Sequence, residues 1–224
     1  MNLKKLFKDN PQGRFEVKAS ADQADIYLYD AIGGWFGIEA KDMVQQINDI
    51  TAPVINLRIN SPGGDVFDGR AIQTALKQHK SKVIAHIDGL AASAATYVAL
   101  AADEVRMSDG ALFMIHKAWT LQIGNADEMR DQADLLDKVD DAIVKDYQRK
   151  TGIDQDQITD WMSAETWFTA DEAKEHGFID KIYEGEEVEG FDLSAYQNAP
   201  RKQPKKVFDR AGLERRARLA AIGA

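Results

Sequence analysis

Apolar spacings of two residues and of about 3.6 residues take turns along this chain from Ala24 to Ile182. That alternation restricts it to α/β folds in which helices cover a mostly parallel sheet. Ala24-Asp25-Ile26-Tyr27-Leu28-Tyr29 alternates apolar and polar and is punctuated by Gly33-Gly34. Val44, Ile47 and Ile50 lie at helical spacing on a segment from about Ile38 to just before Pro53. Val54 to Ile59 reads as a strand ended by Asn60-Ser61-Pro62-Gly63-Gly64. Ala71, Ile72, Ala75 and Leu76 mark a helix, and Val83 to Ile87 the next strand. Gly89 is expected to turn the chain into a helix of small residues around Ser93. Two short strands follow, near Glu104–Met107 and Ala111–His116. Asn125 with Glu128 three residues later has the form of a capping box. It opens a long amphipathic helix to about Lys150, with Met129, Leu136, Val139, Ile143 and Tyr147 as its apolar stripe. Thr169 with Glu172 repeats the cap for a short helix ending at Gly177, and Phe178 to Ile182 reads as a last strand.

A chain of 224 residues with 44% apolar content can build one substantial core plus an appendage. We expect an N-terminal segment over residues 1–15, one folded domain over 16–184, and an acidic-to-basic linker and tail over 185–224. Glu184, Glu186, Glu187 and Glu189 form the acidic stretch. From Arg201 onward, Arg201, Lys202, Lys205, Lys206, Arg210, Arg215, Arg216 and Arg218 face only Asp209 and Glu214. Two readings of that tail follow: a solvated extension with a short helix over Asp209 to Ala221, or a basic arm docking on an acidic neighbour. A net charge of −9 makes the whole chain a poor nucleic-acid binder. Without cysteine there is no disulfide, thiolate metal site, iron–sulfur cluster or cysteine nucleophile, which fits a reducing cytosol. The basic N-terminus breaks at Asp9-Asn10-Pro11 without the apolar core of a signal peptide. The longest apolar run, Leu90 to Ala102, is 13 residues against the roughly 18 that a membrane span needs. The expectation is a soluble, cytoplasmic protein with no membrane partner.

Four histidines are available. His79 and His176 sit near helix ends, where a cation suits the dipole, and His86 alternates with apolar neighbours on a strand. No pair falls at i, i+4, so neither a metal nor a cofactor is expected. Gly33-Gly34 and Gly63-Gly64 lack the Lys-Ser/Thr ending of a phosphate loop. His116 closes an apolar strand, the end at which parallel α/β sheets place their sites. Ser93 follows a strand at a helix start crowded with small residues. It could cap that helix, or serve as a nucleophile whose neighbours let a substrate backbone approach. Ser61-Pro62-Gly63-Gly64 could be an ordinary tight turn, or half of an oxyanion hole completed by the N–H of Ala94. A serine hydroxyl needs a base within hydrogen-bond reach, and histidine, with an ordinary pKa of about 6.5, can take and return its proton.

Taken in order, Asn60-Ser61-Pro62-Gly63-Gly64, Gly89-Leu90-Ala91-Ala92-Ser93-Ala94, Met114-Ile115-His116 and Phe168-Thr169-Ala170-Asp171-Glu172-Ala173 resemble the proteolytic subunit of Clp protease, ClpP. The resemblance covers roughly residues 24–183. The wording Gly-Leu-Ala-Ala-Ser-Ala-Ala and Glu165-Thr166-Trp167-Phe168-Thr169-Ala170 is most similar to the prophage-encoded branch associated with head maturation. The resemblance implies a ClpP/crotonase-like fold of repeated ββα units, with a long handle helix from Asn125 to Lys150. It also implies a homo-oligomeric ring, a heptamer or double heptamer, enclosing the active sites. It makes Ser93 the nucleophile, His116 the general base, and Gly64 and Ala94 the oxyanion donors. Glu165 falls where housekeeping members carry the aspartate of the triad; Asp160 and Asp171 are the substitutes. Housekeeping members work with a separate AAA+ ATPase. Met1 to Phe15 does not resemble their axial loops, which favours a capsid or scaffold protein as substrate over ATPase-fed chains. A crotonase-like coenzyme A thioester enzyme, a serine–lysine hydrolase of related fold and a ring-forming scaffold without activity are the alternatives.

Overall fold

A computed structural model describes residues 14–33, 37–185, 188, 190–194 and 196–200. Strand β1 (Arg14–Ala19) pairs antiparallel with β2 (Gln23–Tyr29). The sheet then runs parallel through β3 (Val54–Ser61), β4 (Lys82–Ala92), β5 (Glu104–Ser108) and β8 (Lys181–Tyr183), in the order β1-β2-β3-β4-β5-β8. The alternation read from Ala24 to Tyr29 has its cause here, since Ala24, Ile26 and Leu28 are fully buried while their neighbours are not. Ile55, Leu57 and Ile59 do the same on β3.

Helices pack on the sheet and bury the apolar face of its strands. Helix α1 is Ala40–Asn48, α2 is Val66–Gln78, α3 is Ala94–Ala99, α4 is Ala126–Thr151, α5 is Gln155–Ser163 and α6 is Ala170–Glu175. Both expected capping boxes form, Asn125 with Glu128 on α4 and Thr169 with Glu172 on α6. Gly152, at φ 73°, ends α4 in the left-handed conformation that a Cβ would disfavour. The expected stripe of α4 is buried only in its C-terminal half, where Ile143, Val144 and Tyr147 join the core. Met129 is exposed, as are Trp119, Leu121 and Ile123 on the loop before the helix. Asp146 ties α4 to α2 by accepting from Arg70 and from Gln73 at 3.2 Å, and within α4 it also accepts from Arg149 at 3.0 Å.

Four features depart from the sequence reading. Gly89 does not turn the chain: β4 runs straight through it for 11 residues. The glycine serves close approach instead, because a Cβ there would lie 2.3 Å from Val188 Cγ2 and 2.9 Å from Asn60 Oδ1. At this point β4 changes partners. Ile84–Ile87 pair with β5, whereas Leu90–Ala92 pair with β6 (Leu112–Ile115), on which β7 (Thr166–Phe168) lies antiparallel. The last strand starts at Lys181; Phe178 and Ile179 are core residues of the preceding loop. Strands β1 and β7 and helix α5 have no counterpart among the expected elements.

The fourth departure concerns the expected linker beyond residue 184. Phe191, Leu193 and Tyr196 pack back on Leu90, Ala92 and Met114, alongside Leu112 and Trp167. The expectations for residues 1–13 and for the basic tail 201–224 lie outside the described residues. Among the described residues no helix is long and apolar enough to cross a membrane.

Candidate active site

Ser93 stands at the junction of β4 and α3 with φ 54° and ψ −126°, a conformation that costs a non-glycine residue about 1–3 kcal/mol. Three bonds hold it there. Its N–H donates to Met114 O at 2.9 Å, and its carbonyl accepts from Thr96 N at 3.0 Å and Thr96 Oγ1 at 2.5 Å. Thr96 Oγ1 in turn meets the buried Tyr147 hydroxyl of α4 at 2.5 Å. The Ser93 side chain makes no capping bond to α3, so the bland reading of this serine fails. Its Oγ instead lies 2.7 Å from Nε2 of His116, directly after β6. The partner change in β4 produces this meeting: it brings β6 alongside the last residues of β4, so the two strand ends deliver serine and histidine to one point. Burial pushes the His116 imidazole below its ordinary pKa of 6.5, and the charge of Glu165 pulls the other way.

Glu165 sits at the start of β7 with a left-handed φ of 50°. Its carboxylate accepts from Trp167 Nε1 at 3.2 Å, from the Gln197 N–H at 3.0 Å and from the Asn198 N–H at 2.7 Å. Among the described residues it is the carboxylate whose field reaches His116. The substitutes, Asp160 on α5 and Asp171 on α6, are both solvent-exposed.

The glycine loop seats against the serine. Ile32 N–H donates to Gly63 O and Asp65 N–H to Ile32 O, both at 2.8 Å, which leaves the Gly64 N–H between them without an acceptor among the described residues. A Cβ on Gly64, at φ 149°, would lie 1.9 Å from Ile32 O. One on Gly63 would lie 2.7 Å from Ser93 Cβ and 2.9 Å from Ala94 N. These contacts require glycine, and they bring the loop against the Ser93–Ala94 peptide. The Ala94 N–H is the first of α3 and has no intrahelical acceptor by its position. A groove of about 540 Å³ opens beside Ser93 and His116. Its lining is largely apolar and includes Ile32, Pro62, Phe67, Trp119, Leu121 and Leu136.

Tyr196, like Gln197 and Asn198, was missed by the sequence reading. The ring of Tyr196 stands edge-on to His116 with centroids 5.7 Å apart, and its hydroxyl donates to Pro62 O at 2.5 Å. The remaining histidines lie elsewhere. His79 Nδ1 accepts from Ser81 N, and the His176 ring packs tilted against Trp161 with centroids 4.7 Å apart. His86 Nε2 is 3.3 Å from Asn56 Oδ1, and burial, with Arg58 and Arg106 nearby, lowers its pKa to about 4. No group of three metal-ligating side chains occurs among the described residues.

The half-buried His116 imidazole is shifted toward its neutral form by desolvation. Bonded to a hydroxyl, it can take the proton as the oxygen attacks an electrophilic carbon. Fold and site together thus define an α/β protein with a serine–histidine pair of the hydrolytic kind. The family model described as Clp protease matches residues 40–186, and the chain belongs to that family of serine peptidases. It is 32% identical over 178 residues to ATP-dependent Clp protease proteolytic subunit 1 of Protochlamydia amoebophila, covering 76% of this chain and 86% of that protein. It is 28% identical over 163 residues to the corresponding subunit 1 of Leifsonia xyli, covering 67% and 82%. Among solved structures, a ClpP1 mutant from Listeria monocytogenes superposes with a TM-score of 0.64 at 25% identity, covering 72% of this chain and 91% of that one.

Proposed function

We propose that this protein is a serine endopeptidase that works inside a homo-oligomeric ring, with Ser93 as nucleophile, His116 as general base and Glu165 as the acid of the triad. The observation that carries the reading is the 2.7 Å approach of His116 Nε2 to Ser93 Oγ in a chain of the Clp protease family. The imidazole takes the hydroxyl proton as Oγ attacks the scissile carbonyl, then returns it to the leaving amine. The Glu165 charge favours the transient imidazolium that burial disfavours. The N–H groups of Gly64 and Ala94 receive the oxyanion, a contribution worth on the order of 10²–10³ in kcat for one donor. The apolar groove beside Ser93 suits an extended peptide presenting an apolar side chain.

The family forms ring oligomers. A heptameric or double-heptameric ring, with the N-terminal half of α4 and its exposed apolar residues at the ring-to-ring contact, is the arrangement we propose here. A capsid or scaffold protein is the proposed substrate, and the wording of Gly89–Ala95 and Glu165–Ala170 supports it. The relatives' names include ATP dependence; for this chain we propose peptide cleavage that needs no ATPase.

Labelling the purified protein with a fluorophosphonate, followed by peptide mass spectrometry, tests the reading. Modification at Ser93 that disappears in His116→Ala is the expected result. A wild-type protein that forms rings yet stays unlabelled would overturn it in favour of an inactive scaffold.

A further inference from the structure

The stretch that follows the family match makes an unexpected set of contacts. The match ends at residue 186, yet Phe191, Leu193 and Tyr196 return to the catalytic end of the sheet and cover Leu90, Ala92 and Met114. Those residues lie on the upper parts of β4 and β6, the two strands that deliver Ser93 and His116. The Tyr196 ring then stands against the imidazole and against Trp167, at 5.7 and 5.5 Å. Its hydroxyl bonds the Pro62 carbonyl, in the turn that carries Gly63 and Gly64. One residue further on, the N–H groups of Gln197 and Asn198 each donate to a different oxygen of the Glu165 carboxylate, and Asn198 Nδ2 donates to Ala164 O at 2.8 Å.

We propose that this C-terminal strap is a working part of the active site. In this view Tyr196 and the backbone N–H groups of Gln197 and Asn198 are positioning groups that hold His116 and Glu165 in the geometry needed for turnover. The inference rests on the peptidase reading of Ser93 and His116 and adds groups that lie outside the family match.

Obstruction is the other role a strap could have, and two observations decide against it. The Ser93–His116 bond is formed at 2.7 Å with the strap in place, and a groove of about 540 Å³ remains beside Ser93 with Tyr196 among its lining residues. The strap also supplies what Glu165 needs. Locally the Glu165 carboxylate has the Trp167 Nε1 bond at 3.2 Å, and two charge-assisted bonds from one short segment complete its fixing. Fixing the acid fixes the field at the imidazole, while the tyrosine ring limits where that imidazole can turn.

Proline at 197, a residue that does not itself line the groove, removes one donor to Glu165, and alanine at 197 gives that donor back. Peptide hydrolysis by full-length Gln197→Pro is expected to lose about 10–100-fold in kcat with KM changed less than threefold, and Gln197→Ala to recover the rate. Tyr196→Ala should show the same split and Tyr196→Phe a partial recovery, because the ring remains and only the bond to Pro62 is lost. Ser194→Ala, an exposed position on the same segment, serves as the unaffected control. Native mass and melting temperature identify any variant that has failed to assemble; the exposed Gln197 position is the one least exposed to that failure.

Variants with unchanged or increased kcat would overturn the proposal, an increase pointing to a strap that blocks. A second readout separates this outcome from failure of the peptidase reading. Titration of the His116 imidazole by carbon-13 NMR depends on no substrate. Glu165 is the charged group acting on it, with the Ser93 hydroxyl and the Tyr196 phenol against it. In Tyr196→Ala the burial that lowers the imidazole pKa is relieved, so its titration should move to higher pH. If Ser93 is unreactive but this titration moves, the peptidase reading fails and the positioning contact stands. If Ser93 reacts and neither kcat nor the titration responds, the strap proposal fails alone.

Discussion

Replacing Gly64 by alanine would put a methyl group 1.9 Å from the carbonyl oxygen of Ile32, against the roughly 3.0 Å below which such contacts are not found. Both atoms belong to backbone pinned by the bonds Ile32 N–Gly63 O and Asp65 N–Ile32 O, so no side chain can swing away. The loop has to open by about 1 Å, and the residue must also leave φ 149°. A displacement of that size takes the Gly64 N–H out of hydrogen-bond range of the oxygen it is meant to receive. The expected loss is that of one oxyanion donor, on the order of 10²–10³ in kcat or about 2.7–4 kcal/mol of barrier. Gly152→Ala supplies the comparison. It too has positive φ, at 73°, but sits in open space at the end of α4, so it should cost about 1 kcal/mol of stability and leave kcat alone. Peptide hydrolysis and urea unfolding measured on both variants separate the two effects. Full kcat in a folded Gly64→Ala protein would refute the assignment of this loop to the oxyanion.

The pH–rate profile should carry an acidic limb from His116 lying below 6.5, since burial lowers its pKa and it must be neutral to accept the serine proton; a limb centred above 7 would contradict this. His86 should make stability fall between pH 6.5 and about 4. The unfolded chain takes up its proton near 6.5 and the folded one only near 4, so melting temperature should drop across that window and the drop should shrink in His86→Gln. Asp146→Ala strips the shared acceptor from Arg70, Gln73 and Arg149, and should cost about 2–3 kcal/mol in urea unfolding while Ser93 remains reactive.

Elements with local signatures were legible from sequence. α4 announced itself through Asn125 and Glu128, and β2 and β3 through alternation that burial enforces. α5 did not, because it buries only Ile158 and Met162 and so leaves little periodicity to read. Gly89 misled for a physical reason. Glycine marks a turn and a close approach with the same letter, and here a neighbouring side chain, not the backbone dihedral, demands it. At the site, Ser93, His116 and the glycine pair stand in short stretches with recognisable neighbours. Tyr196 does not: its contact with Pro62 spans 134 residues, and it follows an acidic stretch that reads as solvated linker. The bonds from Gln197 and Asn198 to Glu165 come from main-chain N–H groups, which carry no residue identity for a sequence to display.

The change of partners along β4 gives the site one fixed and one detachable half. Ser93 hangs from the sheet's longest strand, hydrogen-bonded on both sides to its end, so moving it means breaking the middle of the fold. Glu165 hangs from a three-residue strand at a sheet margin and a segment that follows the last strand, so moving it breaks little else. Partial unfolding therefore has a preferred sequence. Amide exchange should reach Gln197 and Asn198 long before Ser93, and a molecule caught between the two events keeps its nucleophile in place while losing the charge that supports its base.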